Sequence, residues 1–182
     1  MRYNIEKIRD IVRKNRAIEI IYFWGQTPGH KGITKSCLSQ WYDVWFQVDG
    51  IQYHTTEQYM MASKARLFAD EETLREIMDA KSPREYKSLG RKVKGFDASV
   101  WNEKRLDIVV EGNKAKFGQN PPLKDFLLAT GDAVLVEASP YDKIWGIGMD
   151  EATASAASVE DWKGENLLGC ALMEVRDWFR NN

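Results

Sequence analysis

The sequence predicts a helix-rich α+β fold with a few short strands, and three observations carry that expectation. Apolar residues recur at helical spacing along most of the chain. Short apolar runs rich in β-branched and aromatic residues are confined to residues 18–24, 41–53 and 134–137. Strands and helices do not alternate as βαβ units, so no extended parallel sheet is expected. A length of 182 residues suits one domain, because two cores would leave each half near the lower size limit.

The elements follow in order. Ile5, Ile8, Ile11 and Val12 in a charged frame predict an amphipathic N-terminal helix. Residues 18–24, IEIIYFW, read as a buried strand. Residues 26–37 contain Pro28, Gly29 and Gly32 with cationic side chains, and read as a loop. Residues 41–48 and 51–53 flank Asp49-Gly50 and predict a hairpin. Thr55 and Gln58 have capping-box spacing at the start of a helix running to about Phe68. Helices are expected over residues 70–80, from Ser82-Pro83 to near Gly95, and over 101–117. Pro121-Pro122 is expected to break the chain before a short helix at 123–129. A strand at 134–137, a loop at 139–148 and a helix at 167–180 complete the chain.

Composition narrows the function classes. The formal net charge is -1, from 26 basic and 27 acidic residues, which argues against general electrostatic attraction to nucleic acid. A local basic groove stays open. Two cysteines, Cys37 and Cys170, are too few for a disulfide framework and read as reduced thiols in a cytoplasmic protein. No apolar run approaches the roughly 18 residues that span a bilayer, and the charged N-terminus is no secretory signal. Seven tryptophans supply flat apolar faces, for core packing first and for stacking on a planar ligand second. The sequence has no phosphate-binding glycine loop, no GxSxG elbow and no HExxH. His30, His54 and the two cysteines are scattered, so no metal site is expected.

Three constellations remain. Glu57 and Lys64 are seven residues apart, on one helical face and separated by about 10 Å of rise. On an ordinary helix they would be solvated. Tyr59, Met60, Met61 and Ala62 make this helix apolar on most sides, so the stripe is expected to line a polar pocket. A strand leading into the loop at 139–148 can deliver Asp142 and Trp145 to a cleft. Equally, Asp142 can be a turn residue and Trp145 a core anchor. Arg84, Lys87, Arg91 and Lys94 form a cationic row that can hold a phosphate or simply face solvent.

Taken in order, Phe23-Trp24-Gly25, Leu38-Ser39-Gln40-Trp41, residues 53–61 (YHTTEQYMM), Lys64-Ala65, Leu89-Gly90-Arg91-Lys92-Val93, Val100-Trp101, Lys116-Phe117, Gly131-Asp132 and residues 137–148 resemble the NADAR, or YbiA-like, family. The resemblance covers residues 18–182, with residues 1–17 as an N-terminal helical extension. Gln58 and Gln40 depart mildly from the family, where many members have His and Asn.

The resemblance implies the YbiA-like α+β fold and an N-glycosidase. Its expected reaction is hydrolysis of the ribose C1–N bond of phosphoribosylamino-pyrimidine intermediates of riboflavin biosynthesis, with release of ribose 5-phosphate. The alternatives are removal of ADP-ribose from guanine in nucleic acid, kept open by Lys31, Lys35 and the Arg84–Lys94 row, and a non-catalytic ADP-ribose or nucleotide-binding module. The family's conserved Glu and its helix Lys fall on Glu57 and Lys64, and its downstream Trp, Asp and Trp on Trp101, Asp142 and Trp145, with Glu57, Lys64 and Asp142 as the expected catalytic groups. These five residues are expected to converge. Gly146, Phe23 and Gly25 are expected at the substrate, with Arg91, aided by Lys87 or Arg84, on its phosphate. Neither metal nor organic cofactor is required. The expected partner is a small phosphoribosyl substrate, with nucleic acid only under the alternative and no membrane.

Overall fold

A computed structural model describes residues 2–26 and 32–182; Pro28, Gly29, His30 and Lys31 of the predicted loop lie outside the described residues. The helices are α1 (Ile5–Lys14), α2 (Thr56–Leu67), α3 (Glu71–Asp79), α4 (Pro83–Gly90), α5 (Ala98–Gln119), α6 (Pro121–Ala129), α7 (Glu151–Ala156) and α8 (Leu167–Asn181). The strands are β1 (Ile20–Phe23), β2 (Phe46–Val48), β3 (Ile51–Tyr53) and β4 (Val134–Glu137). The described residues fall into two compact units, one built from Met1–Ser39 with Pro121–Asn182 and the other from Gln40–Asn120.

In the first unit β1 pairs with β4 in parallel, Ile20 opposite Val134 and Phe23 opposite Glu137. Val134, Leu135 and Val136 are all buried, the continuous apolar run of a strand covered on both faces. Helix α8 packs on β4 closely enough that a Cβ at Gly169 would lie 2.0 Å from the Leu135 carbonyl oxygen. The guanidinium of Arg176, on α8, is buried and donates to Thr130 Oγ1 and the Ala133 carbonyl, so its charge is tied into the structure. At α1, Asn4 Oδ1 accepts from Lys7 N and caps the helix. Ile8 is fully buried, and Arg9 reaches the carbonyls of Val159 and Trp162.

The second unit is built around α2, which packs on α3, α4 and α5. The hairpin β2–β3 turns at Asp49 and Gly50, with φ of 51° and 76°. Positive φ at both central positions matches the right-handed strand twist and explains the Asp-Gly pair.

Several boundaries differ from the expectation for identifiable reasons. Strand β1 starts at Ile20 because Ile18 N is drawn back to the Asn15 carbonyl in the turn after α1. Helix α6 begins at Pro121 itself, since proline at a first helical position lacks only a donor that would have been an orphan. Helix α4 ends at Gly90 rather than near Gly95, because Lys94 N is captured by Asp70 Oδ2 and Gly95 takes a φ of 66°. The box at the start of α2 is closed on one side only. Thr55 Oγ1 accepts from Gln58 N, but Gln58 Oε1 reaches one residue further back, to His54 N. Helix α7 is unforeseen; its signal, missed in the sequence, is the Asp150 cap on Thr153 N.

Candidate functional site

Helix α2 positions Glu57 and Lys64. Its first-turn donors are taken by neighbours: Gln40 O accepts from Glu57 N at 3.0 Å, and Thr55 Oγ1 accepts from Gln58 N at 3.1 Å. The N-terminal cap therefore does not depend on the Glu57 carboxylate. Packing against three helices buries residues 56–62, so Glu57 is only 4% exposed at the positive end of the helix dipole. Lys64 is half-buried, two turns on.

The surroundings of the Lys64 amine are specific. Nζ donates to the carbonyl oxygen of Gly90, the last residue of α4, at 2.7 Å. It lies 4.2 Å from the ring centre of Phe96 and 5.5 Å from that of Trp101. Burial lowers its pKa below the ordinary lysine value, with no neighbouring charge contributing. Trp101 is itself buried at the start of α5, while Phe96 is 46% exposed and packs edge-on against Phe68. An amine held between two aromatic faces with a lowered pKa is suited to nucleophilic attack on a carbonyl carbon.

The cationic row is only partly built. Arg84 and Lys87 lie on α4 and Arg91 caps its C-terminus, exposed and one residue past Gly90. Lys94 leaves the row, pairing with Glu72 at 2.6 Å.

In the first unit the loop after β4 is packed by its own backbone. The carbonyls of Lys143, Ile144, Trp145, Gly146 and Ile147 accept from Glu165, Leu167, Leu168, Asn166 and Lys163. The first amides of α8 thus find loop carbonyls where no side chain caps the helix. Asn166, fully buried at a φ of 53°, bridges this arrangement to β4 through Glu137 N and the Leu135 carbonyl. Asp142 Oδ1 accepts from Ile144 N at 2.9 Å and Trp145 N at 2.8 Å, so the turn reading of Asp142 describes its geometry. Trp145 is half-exposed on this rigid base. A Cβ at Gly146 would lie 2.8 Å from the Glu137 carbonyl oxygen, so glycine here serves the close packing of the loop. At the end of β1, Phe23 is fully buried and Gly25 has a φ of 82°. Between them Trp24 is 58% exposed, with its ring 6.3 Å from that of the exposed Tyr141.

The sequence-predicted residues therefore fall into two sets. Glu57, Lys64, Arg91 and Trp101 belong to the second unit, and Phe23, Gly25, Asp142, Trp145 and Gly146 to the first. Within the second unit Lys64 and Trp101 meet directly. Gly90 and Phe96 carry no signal of their own: Gly90 stands inside a quoted motif, and Phe96 follows a glycine in a turn. The pairing of Trp24 with Tyr141 likewise has no local signal in the sequence. Gln40 and Gln58 both make structural hydrogen bonds. Gln40 Oε1 accepts from the buried Asn113 at 3.1 Å, and Gln58 Nε2 donates to the Ile77 carbonyl.

Among the described residues no group of three His, Cys, Asp or Glu side chains is placed to hold a metal ion. Cys37 and Cys170 are both buried, and burial pushes the Cys170 thiol up to about 12. No described helix is long and apolar enough to cross a membrane.

Comparison with known proteins agrees with this architecture. The chain is 42% identical over 162 residues to an N-glycosidase of Acanthamoeba polyphaga mimivirus, covering 86% of this chain and 94% of that protein. It is 30% identical over 166 residues to a riboflavin biosynthesis protein of Vibrio vulnificus, covering 91% of this chain but 40% of that longer protein. The NMR structure of the E. coli protein YbiA superposes with a TM-score of 0.72 at 29% identity, covering 90% of this chain and 86% of that one. The α+β fold is thus the YbiA-like fold. The family model of the NADAR domain matches residues 22–180, and the chain belongs to the NADAR family.

Proposed function

We propose that the protein is an N-glycosidase that hydrolyses the ribose C1–N bond of a phosphoribosylamino-pyrimidine, releasing ribose 5-phosphate. Family membership and a viral relative named N-glycosidase support the coarser reading, a hydrolase of N-glycosyl bonds. A relative named for riboflavin biosynthesis supports the pyrimidine substrate. The observation that carries the mechanism is the Lys64 amine, half-buried on the Gly90 carbonyl and two aromatic faces with its pKa lowered.

Cleavage of a ribosyl C–N bond builds positive charge on C1 and the ring oxygen, and places an electron pair on the leaving nitrogen. Glu57 is the carboxylate that stabilises the cationic sugar. The ring opens as the glycosidic nitrogen's lone pair forms C1=N, the C1–O bond breaks and the ring oxygen takes a proton from solvent; neutral Lys64 then adds to C1, passes one proton to the glycosidic nitrogen, and the C1–N bond to the pyrimidine breaks to release its free amine. The resulting Schiff base holds the ribose until water adds at C1 and returns the free amine. Asp142 completes the set as a carboxylate for a sugar hydroxyl or a proton. Trp101 and Trp145 cover the base or ribose, with Phe23, Gly25 and Gly146 at the substrate. Arg91, with Lys87 or Arg84, holds the 5′-phosphate. The site needs no metal or organic cofactor, and we place the enzyme in the cytoplasm.

A mass-spectrometric screen tests the substrate by comparing riboflavin intermediates with ADP-ribosylated guanine in DNA and RNA. Catalytic release of ribose 5-phosphate from the pyrimidine is the expected result. Release of ADP-ribose alone would select the nucleic-acid reading, and binding without turnover would select a nucleotide-binding module. Borohydride added during turnover is expected to trap the sugar on Lys64.

A further inference from the structure

We infer that the main-chain carbonyl of Gly90 is the positioning group for the Lys64 amine, and that glycine at residue 90 lets α4 pack on Met61 with this carbonyl at the amine. The inference rests on Lys64 being the nucleophile of the proposed reaction.

Three observations support it. First, Gly90 ends α4, where the last carbonyls of a helix have no partner within the helix. The Leu89 carbonyl is satisfied by Lys92 N, while Gly90 O receives the Lys64 Nζ donor at 2.7 Å. Second, α4 meets the Met61 side chain through the bare backbone at 90, so a side chain there would force Met61 or α4 to move. A Cβ there would stand 1.9 Å from Met61 Sδ, 2.9 Å from its Cγ and 3.3 Å from its Cβ. Met61 is itself buried at 7% exposure and sits one turn before Lys64 on α2, so the clash falls on the helix that carries the amine. Third, Phe96 and Trp101 flank Nζ, and the carbonyl is the hydrogen-bond acceptor that orients it.

The chemical consequence is directional. A neutral primary amine has two N–H bonds and one lone pair. Donating one N–H to a fixed carbonyl restricts rotation about the final side-chain bonds and so restricts where the lone pair points. The same carbonyl, at the negative end of a helix dipole, also favours the ammonium form and limits how far burial lowers the pKa. Moving it should therefore misdirect the amine and lower its pKa further.

Gly90→Ala tests both effects. The expected result is a loss of kcat on the order of 10²-fold, the scale of a misplacement of about 1 Å. KM should change little, and the alkaline-rising limb of the pH–rate profile should move to lower pH. Gly90→Ala combined with Met61→Ala opens room for the new Cβ, and should recover most of the lost rate and return the limb toward its original position. Thermal melting identifies folded variants. An independent readout is the pH dependence of Lys64 labelling by pyridoxal 5′-phosphate with borohydride, quantified on the Lys64 peptide without any ribosyl substrate. A folded Gly90→Ala with unchanged pH profile and unchanged labelling would overturn the inference. So would a folded double variant as slow as the single one. If labelling follows the expected pattern while no ribosyl substrate turns over, the positioning role stands and the N-glycosidase reading fails.

Discussion

Helix α2 and the loop at 139–148 each offer a carboxylate, Glu57 and Asp142, but the backbone makes different demands on the two. In α2 the first-turn amides are satisfied by Thr55 and by the Gln40 carbonyl, so the cap stands without the Glu57 side chain. In the loop, Asp142 Oδ1 is itself the acceptor for two amides, Ile144 N and Trp145 N. The amine of Lys64 is likewise set on a scaffold built by others, the end of α4 and the start of α5. A helix satisfies its own backbone and leaves side chains for chemistry, whereas a turn draws its polar side chains into the backbone. The contrast makes α2 the region where substitution should change rate, and the loop the region where it should also change stability.

The largest effect should come from Lys64→Arg. Arginine keeps the charge but stays protonated, so the nucleophile is lost and turnover should fall on the order of 10³-fold or more. Unchanged melting temperature and no borohydride-trapped adduct would accompany that fall. Near-normal turnover would instead break the lysine mechanism and leave the carboxylates acting through water. Only the neutral amine attacks, so in the wild type the rate should rise with pH through the Lys64 pKa, which burial places below 10.5, and level off above it.

Glu57→Gln should lower kcat by about 10²–10³-fold with little change in KM, since the amide keeps the shape and loses the charge. Because the cap is made by other residues, its melting temperature should stay close to that of the wild type. A stability loss in place of a rate loss would erase the contrast between helix and loop.

Asp142 sharpens the comparison through two substitutions. Asp142→Ala removes the acceptor for two amides and should cost about 1 kcal/mol, read by denaturant unfolding. Asp142→Asn keeps an oxygen acceptor and should remain near wild-type stability. Slow turnover by folded Asp142→Asn would assign the carboxylate to catalysis, and wild-type turnover would assign it to the turn alone.

The smallest effect concerns Asp70, the N-cap of α3. The Lys94 amide, the Thr73 hydroxyl and the Thr73 amide hold its carboxyl at about 2, below the ordinary aspartate value of 3.8. A depressed carboxylate contributes stability that is fully present above 3.8 and is lost as pH falls through about 2. The difference in melting temperature between wild type and Asp70→Asn should therefore shrink across that window.

The helices other than α7, the hairpin and the shared stripe of Glu57 and Lys64 are legible in the amino-acid sequence, because these depend on residues close in the chain. Periodicity placed α2 and α5, Asp49-Gly50 set the turn, and the seven-residue spacing put carboxylate and amine on one face. The ordered motifs named the family. Tertiary structure decided what surrounds the amine: α4 stops at Gly90, and the chain beyond it brings Phe96 over Lys64. It also decided that Asp142 serves the turn and that Asn166 joins the loop to β4. These outcomes depend on which orphan amide meets which distant acceptor, and that pairing is fixed only when separated segments pack together.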